Sequence, residues 1–288
     1  MQVVVDGLVC INIPFTIRNE TNVVWTEIST AQQLIDLTES DDPAVMNADY
    51  LLTADIDLST ASHWYNPLGH LSKTPFTGIF DGNGYSIVGG SIGDDNTRAL
   101  TDGYVGMFYQ IAAGAVVRNL TIDLGTANYI RGEEGMSMFT HDNYGTIENC
   151  FAKTGKVFLR TGAKTKSTAA GFVYNNYGTI KNCLSMTYVH VYEIYNPWTL
   201  GALVYQNLDG GQIVNSFVYA NAAIDAAGRT NALASVAGKA GDYDAICIKT
   251  KAELQTASTY LTANFDTGVW EIADDAFPTL RNGCTKHQ

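Results

Sequence analysis

Asp81 and Asn83, separated by one glycine in the stretch FDGNGYS (residues 80–86), carry side-chain oxygens of the kind a calcium ion takes as ligands. A calcium loop gathers six or more oxygens and closes on a bidentate glutamate, and that glutamate is missing downstream. The same residues read more simply as a tight turn, with Gly82 and Gly84 at φ > 0 and Asp81 or Asn83 bonding the local backbone. Glycoside cleavage, in turn, uses two carboxyl groups at a set separation. The candidates are His141 with Asp142, Glu133 with Glu134, and Asp94 with Asp95. None recurs at a repeat spacing, so these are expected to be solvated loop charges. No nucleophile elbow, zinc helix or phosphate loop is assigned, and the five histidines follow no ligand spacing. The expectation is no catalytic residue, no metal site and no cofactor.

Aromatic residues offer a different chemistry. In TYVHVYEIYNPW (residues 187–198), alternation puts Tyr188, His190 and Tyr192 on one side of a strand and Val189 and Val191 on the other. With the valines inward, a Tyr/His/Tyr row faces out, followed by Tyr195 and Trp198 in a turn. Such a platform stacks on sugar faces or fills a protein interface. Packing at turns and end caps is the alternative for Trp64, Tyr65, Trp198 and Trp270.

These residues must be positioned by an internal repeat. NYGTIENC (143–150) returns as NYGTIKNC (176–183), 33 positions on, and the core of the motif, G-x-I-x-N, continues at Gly211, Ile213 and Asn215. Asn119 supplies an earlier copy, and Ile246 a last turn without asparagine. A second glycine-led apolar motif precedes each copy, at Gly106, Gly135, Gly171 and Gly201. Strand-sized apolar runs without helical period exclude helical repeats of similar length and leave a solenoid of β-coils. Strands of adjacent coils then pair in parallel about 4.8 Å apart, and equivalent residues stack. Ile147, Ile180 and Ile213 are expected as an interior stack. Asn119, Asn149, Asn182 and Asn215 are expected as a ladder at one bend, their amides satisfying one another and the backbone. Glu148 and Lys181, between these positions, face out and attract mildly. Cys150 and Cys183 become neighbours, expected as two small buried thiols, although stacking leaves a disulfide open.

Composition agrees with many short strands and turns: 288 residues, 27 glycines, 6 prolines and 16% charged residues. Seventeen basic against 29 acidic residues give a net charge of -12, which repels phosphate backbones and anionic lipid, so neither nucleic acid nor membrane is an expected partner. The five cysteines are spread singly and are expected mostly as free thiols. The start of the chain has no positive residue before Arg18 and does not read as a secretory signal.

The flanks carry helix starts. Ser29 with Gln32 and Thr250 with Glu253 have capping-box spacing, and the two short helices are expected to close the ends of the coil stack. Together with the G-x-I-x-N copies, the segments WTEISTAQQLIDL, YLLTADIDLS, WYNPLG and FTGIFDGNGYSIVG (within 25–89) and LTANFDTGVWEIADDAFPTL (261–280) resemble the GLUG-type proteins of bacterial surfaces and phage particles. The likeness covers residues 25–282. It implies an all-β, right-handed parallel β-helix with three faces, short capping helices, and an extracellular or virion setting. It implies no single activity. Residues 1–24 lie outside it and alternate apolar residues (Val3, Val5, Leu8, Ile11, Ile13, Phe15, Ile17), as a segment that caps the first coil or attaches to a neighbouring subunit. Residues 283–288 read as a tail.

The functional expectation is a non-enzymatic β-helix of a phage virion, a spike, fibre or capsid-decorating protein, oligomeric in assembly and contacting other subunits or host-surface glycans. A bacterial adhesin module is the first alternative. A polysaccharide lyase or hydrolase, poorly supported by the carboxylates, is the second.

Overall fold

Each described copy of the repeat becomes one coil of a parallel β-solenoid, and the last copy, at Ile246, lies outside the described residues. The computed structural model describes residues 2–5, 8–12, 23–59, 64–93, 104–132, 135–159, 168–191, 199–208, 210–219, 223–225 and 248–285. Four coils contribute a strand to each of four walls. Wall one stacks Phe108–Ile111, Thr140–Asn143, Val173–Asn176 and Val204–Asn207. Wall two has seven strands, running from Trp25–Ile28 and Asp49–Leu52 through Ile79–Asp81, Val116–Arg118, Thr146–Glu148 and Thr179–Lys181 to Gln212–Val214. Wall three also has seven, from Ile56–Asp57 to Ile248–Lys249, and includes Phe151–Thr154, Leu184–Ser185 and Phe217–Tyr219. Wall four stacks Trp64–Tyr65, Ser91–Gly93, Tyr129–Gly132, Lys156–Leu159, Tyr188–Val191 and Ala223–Asp225. The coil is thus four-walled rather than three-faced.

Register follows the repeat. Phe80, Val117, Ile147 and Ile180 lie in one column and are fully buried, with Ile213 partly buried at its end. One position on, the wall-two column reads Asp81, Arg118, Glu148, Lys181, alternating in sign on neighbouring strands. Such opposite pairs favour the in-register stack.

The asparagine corner differs from the expected ladder. Asn119, Asn149, Asn182 and Asn215 turn the chain from wall two into wall three with φ of 53°, 51°, 52° and 47°. Their common role is conformational, because asparagine enters the left-handed region more readily than other non-glycine residues. Amide contacts here are partial: Asn149 donates to Asn119 at 3.3 Å, while the buried Oδ1 of Asn182 accepts no hydrogen bond. The continuous side-chain ladder sits instead at the end of wall one. Asn143 donates to Asn176 at 2.8 Å, Asn176 to Asn207 at 2.7 Å, and Asn207 to the Gly211 carbonyl at 2.8 Å.

The helices also depart from expectation. Helix α1 (Ala31–Thr38) is capped by Thr30 with Gln33, one residue later than the Ser29 and Gln32 spacing suggested. It buries Leu34 against the core beside the outermost strands of walls two and three. Helix α2 (Lys251–Leu254) has the expected Thr250 and Glu253 box. With α3 (Ala257–Leu261) it packs on the outer face of wall three rather than over an end. There Leu254, Tyr260, Phe265, Trp270 and Leu280 cover the outward column Phe151, Leu184, Phe217.

At the chain ends, Gln2–Val5 and Leu8–Asn12 pair antiparallel as a separate two-stranded sheet. Of the residues read as a tail, 283–285 dock on the turn at 81–84, with Gly283 N–H donating to the Asn83 carbonyl at 2.8 Å, and 286–288 lie outside the described residues. Cys150 and Cys183 are free, fully buried thiols, and burial with the neighbouring Cys183 pushes the Cys150 thiol upward. Among the described residues no helix is long and apolar enough to cross a membrane.

Candidate functional site

Tyr188 stands over a groove on the outside of the corner between walls three and four. The register of wall four explains why. Ile130, Val157 and Val189 pair in one column and are fully buried, so the alternate column, Tyr129, Lys156, Tyr188, points outward. The next outward column is Arg131, Phe158, His190. Val189 therefore faces the core as the alternation predicts, and Tyr188 and His190 occupy outward register positions; nothing further is described for the His190 side chain. Tyr192, Tyr195 and Trp198 lie outside the described residues.

The groove encloses about 590 Å³. Tyr129, Phe158, Tyr188, Tyr219 and Met186 form its apolar surface, and Lys153 and Lys156 bring charge to it. A single residue makes the bend. Gly155 carries the chain from wall three into wall four at φ 137°, and a Cβ there would stand 2.9 Å from the Met138 Cε atom. The positive φ is what favours glycine here, since the Met138 methyl is the flexible end of its side chain and can move aside. The one-residue corner sets Lys153 and Lys156 on either side of the bend.

Within the groove, Tyr129 and Phe158 pack edge to face with ring centres 5.5 Å apart. The Lys156 ammonium sits 5.4 Å from the Tyr129 ring centre and the Arg131 guanidinium 5.8 Å from that of Phe158, both as cation–π contacts. Lys153 is held by Asp123 at 3.0 Å. Burial pushes the Asp123 carboxyl upward, but hydrogen bonds from Thr154 and Lys153, the Lys153 charge and the Gly125 N–H outweigh it and hold the group below its ordinary range. A concave, mostly apolar site with a few placed polar groups is the usual form of a small-ligand pocket.

The carboxylate candidates resolve differently. Asp94, Asp95, Glu133 and Glu134 lie outside the described residues. His141 and Asp142 are not loop charges: they sit on a wall-one strand, and Asp142 is only 6% exposed. Asp142 accepts from His141 Nδ1 at 2.8 Å, Asn175 at 2.9 Å and Gln110 at 3.3 Å. These partners are an imidazole and two amides, which bind a carboxylate in place rather than supply the second carboxyl of a glycosidase pair. His141 itself belongs to an outward stack with Tyr104, Tyr174 and Tyr205, at ring spacings of 4.2 to 4.5 Å. Rings stacked on each other leave edges, not faces, toward solvent. Wall one therefore suits sugar stacking less than the groove does.

Two further motifs prove structural. The FDGNGYS turn places Asn83 and Gly84, not Gly82, at positive φ (52° and 83°), with the Tyr85 N–H bonding the Gly82 carbonyl. Asn83 N–H donates to Asp81 at 2.8 Å. Gly89-Gly90-Ser91-Ile92-Gly93 does spell a G-x-S-x-G sequence, contrary to the assignment from sequence. Yet Ser91 is a wall-four strand residue, 8% exposed, whose Oγ accepts from the Tyr129 N–H at 3.2 Å and donates to Asn128 at 3.4 Å. A nucleophile elbow instead lifts its serine out at a strand-to-helix turn. Among the described residues, no three histidine, cysteine or acidic side chains lie together as a metal site. Of the packing alternatives, Tyr65 and Trp270 are buried.

Fold and groove together define a class: a parallel β-solenoid bearing an outward aromatic groove with lysines at its bend. No protein-family model matches the chain, and no curated protein or solved structure is found to be similar to it.

Proposed function

We propose that the chain is a non-enzymatic binding β-solenoid whose groove at the wall-three and wall-four corner holds a saccharide, displayed on a phage particle as a spike, fibre or decorating protein. The observation that carries this reading is the groove itself, in which three tyrosines and a phenylalanine from neighbouring strands surround about 590 Å³. Aromatic side chains supply large apolar contact area with polar tips, which suits the mixed faces of a sugar ring. Among the described residues that line the groove none is aspartate or glutamate, the pair of groups that glycoside cleavage uses. The phage setting is part of the proposal and rests on the motif resemblance of residues 25–282 alone.

Titration calorimetry against a panel of neutral and charged oligosaccharides tests the proposal. Binding should weaken by about tenfold or more in Tyr188→Ala and Tyr129→Ala, the loss of one well-placed aromatic contact. No sugar should be released from any bound oligosaccharide. Wild-type protein that binds no member of the panel, or binding untouched by both substitutions, would overturn the groove as the site. Released sugars would overturn the non-enzymatic reading.

A further inference from the structure

We infer that the groove selects anionic saccharides, with Lys156 as the residue that reads the negative charge; this rests on the saccharide reading above. The chain carries 29 acidic and only 17 basic residues, so a cationic surface is against its average. At this corner the average is reversed. Lys153 and Lys156 line the groove with no carboxylate among the described lining residues, and Arg131 joins them one outward column away, over Phe158.

The two lysines are not equivalent. Lys153 already faces Asp123 at 3.0 Å, and that carboxylate is held ionised by its hydrogen bonds. Lys156 stands between Tyr129 and Tyr188 in the outward column, its ammonium over the Tyr129 ring. A cation kept at an aromatic face is oriented without being neutralised. A sugar stacked on the tyrosines would thus bring a ring carboxylate or sulfate against the Lys156 ammonium, a charge-assisted hydrogen bond.

Single-stranded nucleic acid also binds surfaces that combine aromatic and cationic side chains. A strand with a phosphate at every nucleotide meets the net charge of -12 along its whole length, whereas one carboxylate in a concave site meets mainly its local field. The field therefore favours the discrete acidic sugar.

The experiment compares charged and neutral partners of the same saccharide by calorimetry at low and high salt: sialyllactose against lactose, and a galacturonate oligomer against its methyl ester. Oligodeoxythymidylate is the nucleic-acid probe. At least one charged member should bind about tenfold tighter than its neutral partner, the worth of one hydrogen bond to a charged group. The ratio should fall toward one in Lys156→Met and in high salt, and Lys156→Arg should preserve it. Circular dichroism confirms that the variants remain folded. Equal binding of charged and neutral partners overturns the selectivity and leaves saccharide binding standing. Binding of oligodeoxythymidylate alone, or of no probe, overturns both.

Discussion

The hydroxyl of Thr285 lies 2.8 Å from both carboxylate oxygens of Asp81, a residue 204 positions earlier in the chain. Asp81 is fully buried, and it also accepts from Arg118 Nε at 2.7 Å, Asn119 at 3.1 Å and the Asn83 N–H at 2.8 Å. The C-terminal segment reaches this point by running back along the solenoid. It covers Phe217, Leu184 and Phe151, bonds the Trp270 indole to Asn149 at 3.3 Å, and ends on the turn at 81–84. From the coil of Phe217 to that of Asp81 it crosses four coil steps, about 19 Å at the usual strand spacing. A solenoid in which each coil touches only its neighbours frays from its ends. A strap tying late coils to early ones couples them.

Breaking the Asp81 hub should therefore be expensive. Asp81→Ala removes the buried acceptor shared by Arg118, Asn119, the Asn83 N–H and Thr285, and is expected to cost at least about 3 kcal/mol in urea denaturation. Thr285→Val should cost about 1.5 to 3 kcal/mol, the worth of a hydrogen bond to a charged group. The double variant should lose less than the sum, because both substitutions remove one shared contact. Strict additivity would show that the strap and the hub do not act together.

The two asparagine corners should respond differently. Asn182 supplies a left-handed backbone and an Oδ1 without a hydrogen-bond partner, so Asn182→Gly should change stability by no more than about 1 kcal/mol. Asn182→Ala should cost about 1 to 2 kcal/mol, the strain of a left-handed alanine. Asn176 is the buried middle rung of the ladder, and Asn176→Ala removes the acceptor that Asn143 uses at 2.8 Å and the donor to half-buried Asn207, at a cost of about 2 kcal/mol. Thermal melting of the three variants checks the order, and an Asn182→Gly protein less stable than Asn176→Ala would reverse the assignment.

Acid should reach the wall-one stack through Asp142. Burial raises this carboxyl, but the hydrogen bond and charge of His141 and the bonds from Asn175 and Gln110 prevail, so it lies below its ordinary 3.8. A folded value below the unfolded one means stability that is present above about pH 3.8 and lost as pH falls through the folded value. Asp142→Asn should flatten the acid limb of stability against pH in that window. An unchanged acid limb would show that Asp142 is not a linked group.

What the sequence disclosed was whatever repeated. The 33-residue spacing placed Ile147, Ile180 and Ile213 in one column, and the alternation around Val189 correctly turned Tyr188 outward. The ladder through Asn143 and Asn176 stood in the same repeated words, but an asparagine ahead of Tyr-Gly reads as a turn residue, and only stacking shows it as a buried rung. Phe151, Leu184 and Phe217 were beyond sequence reasoning for another reason: an apolar residue on a strand does not say whether the core or a returning strap covers it. The groove needed Tyr129, Lys156 and Tyr188 in one register column. That register depends on the single-residue bend at Gly155, which carries no periodic signal.

The N-terminal segment yields the remaining prediction. Gln2–Val5 pairs with Leu8–Asn12 in a sheet of their own, and neither strand joins any wall of the solenoid. The outermost strand of wall two is Trp25–Ile28, and helix α1 already buries Leu34 against the core of the first coils. A hairpin of two strands is at best marginally stable in water by itself and gains stability by packing on another surface. We propose that it attaches to a neighbouring subunit rather than capping the first coil. Deleting residues 1–20 should leave the circular dichroism spectrum and melting temperature of the solenoid within error of the full chain. Size-exclusion chromatography with light scattering should then show loss of self-association or of incorporation into a larger particle. A deletion that lowers the melting temperature by several degrees would instead make the hairpin part of the solenoid's own cover, and the attachment role would be withdrawn.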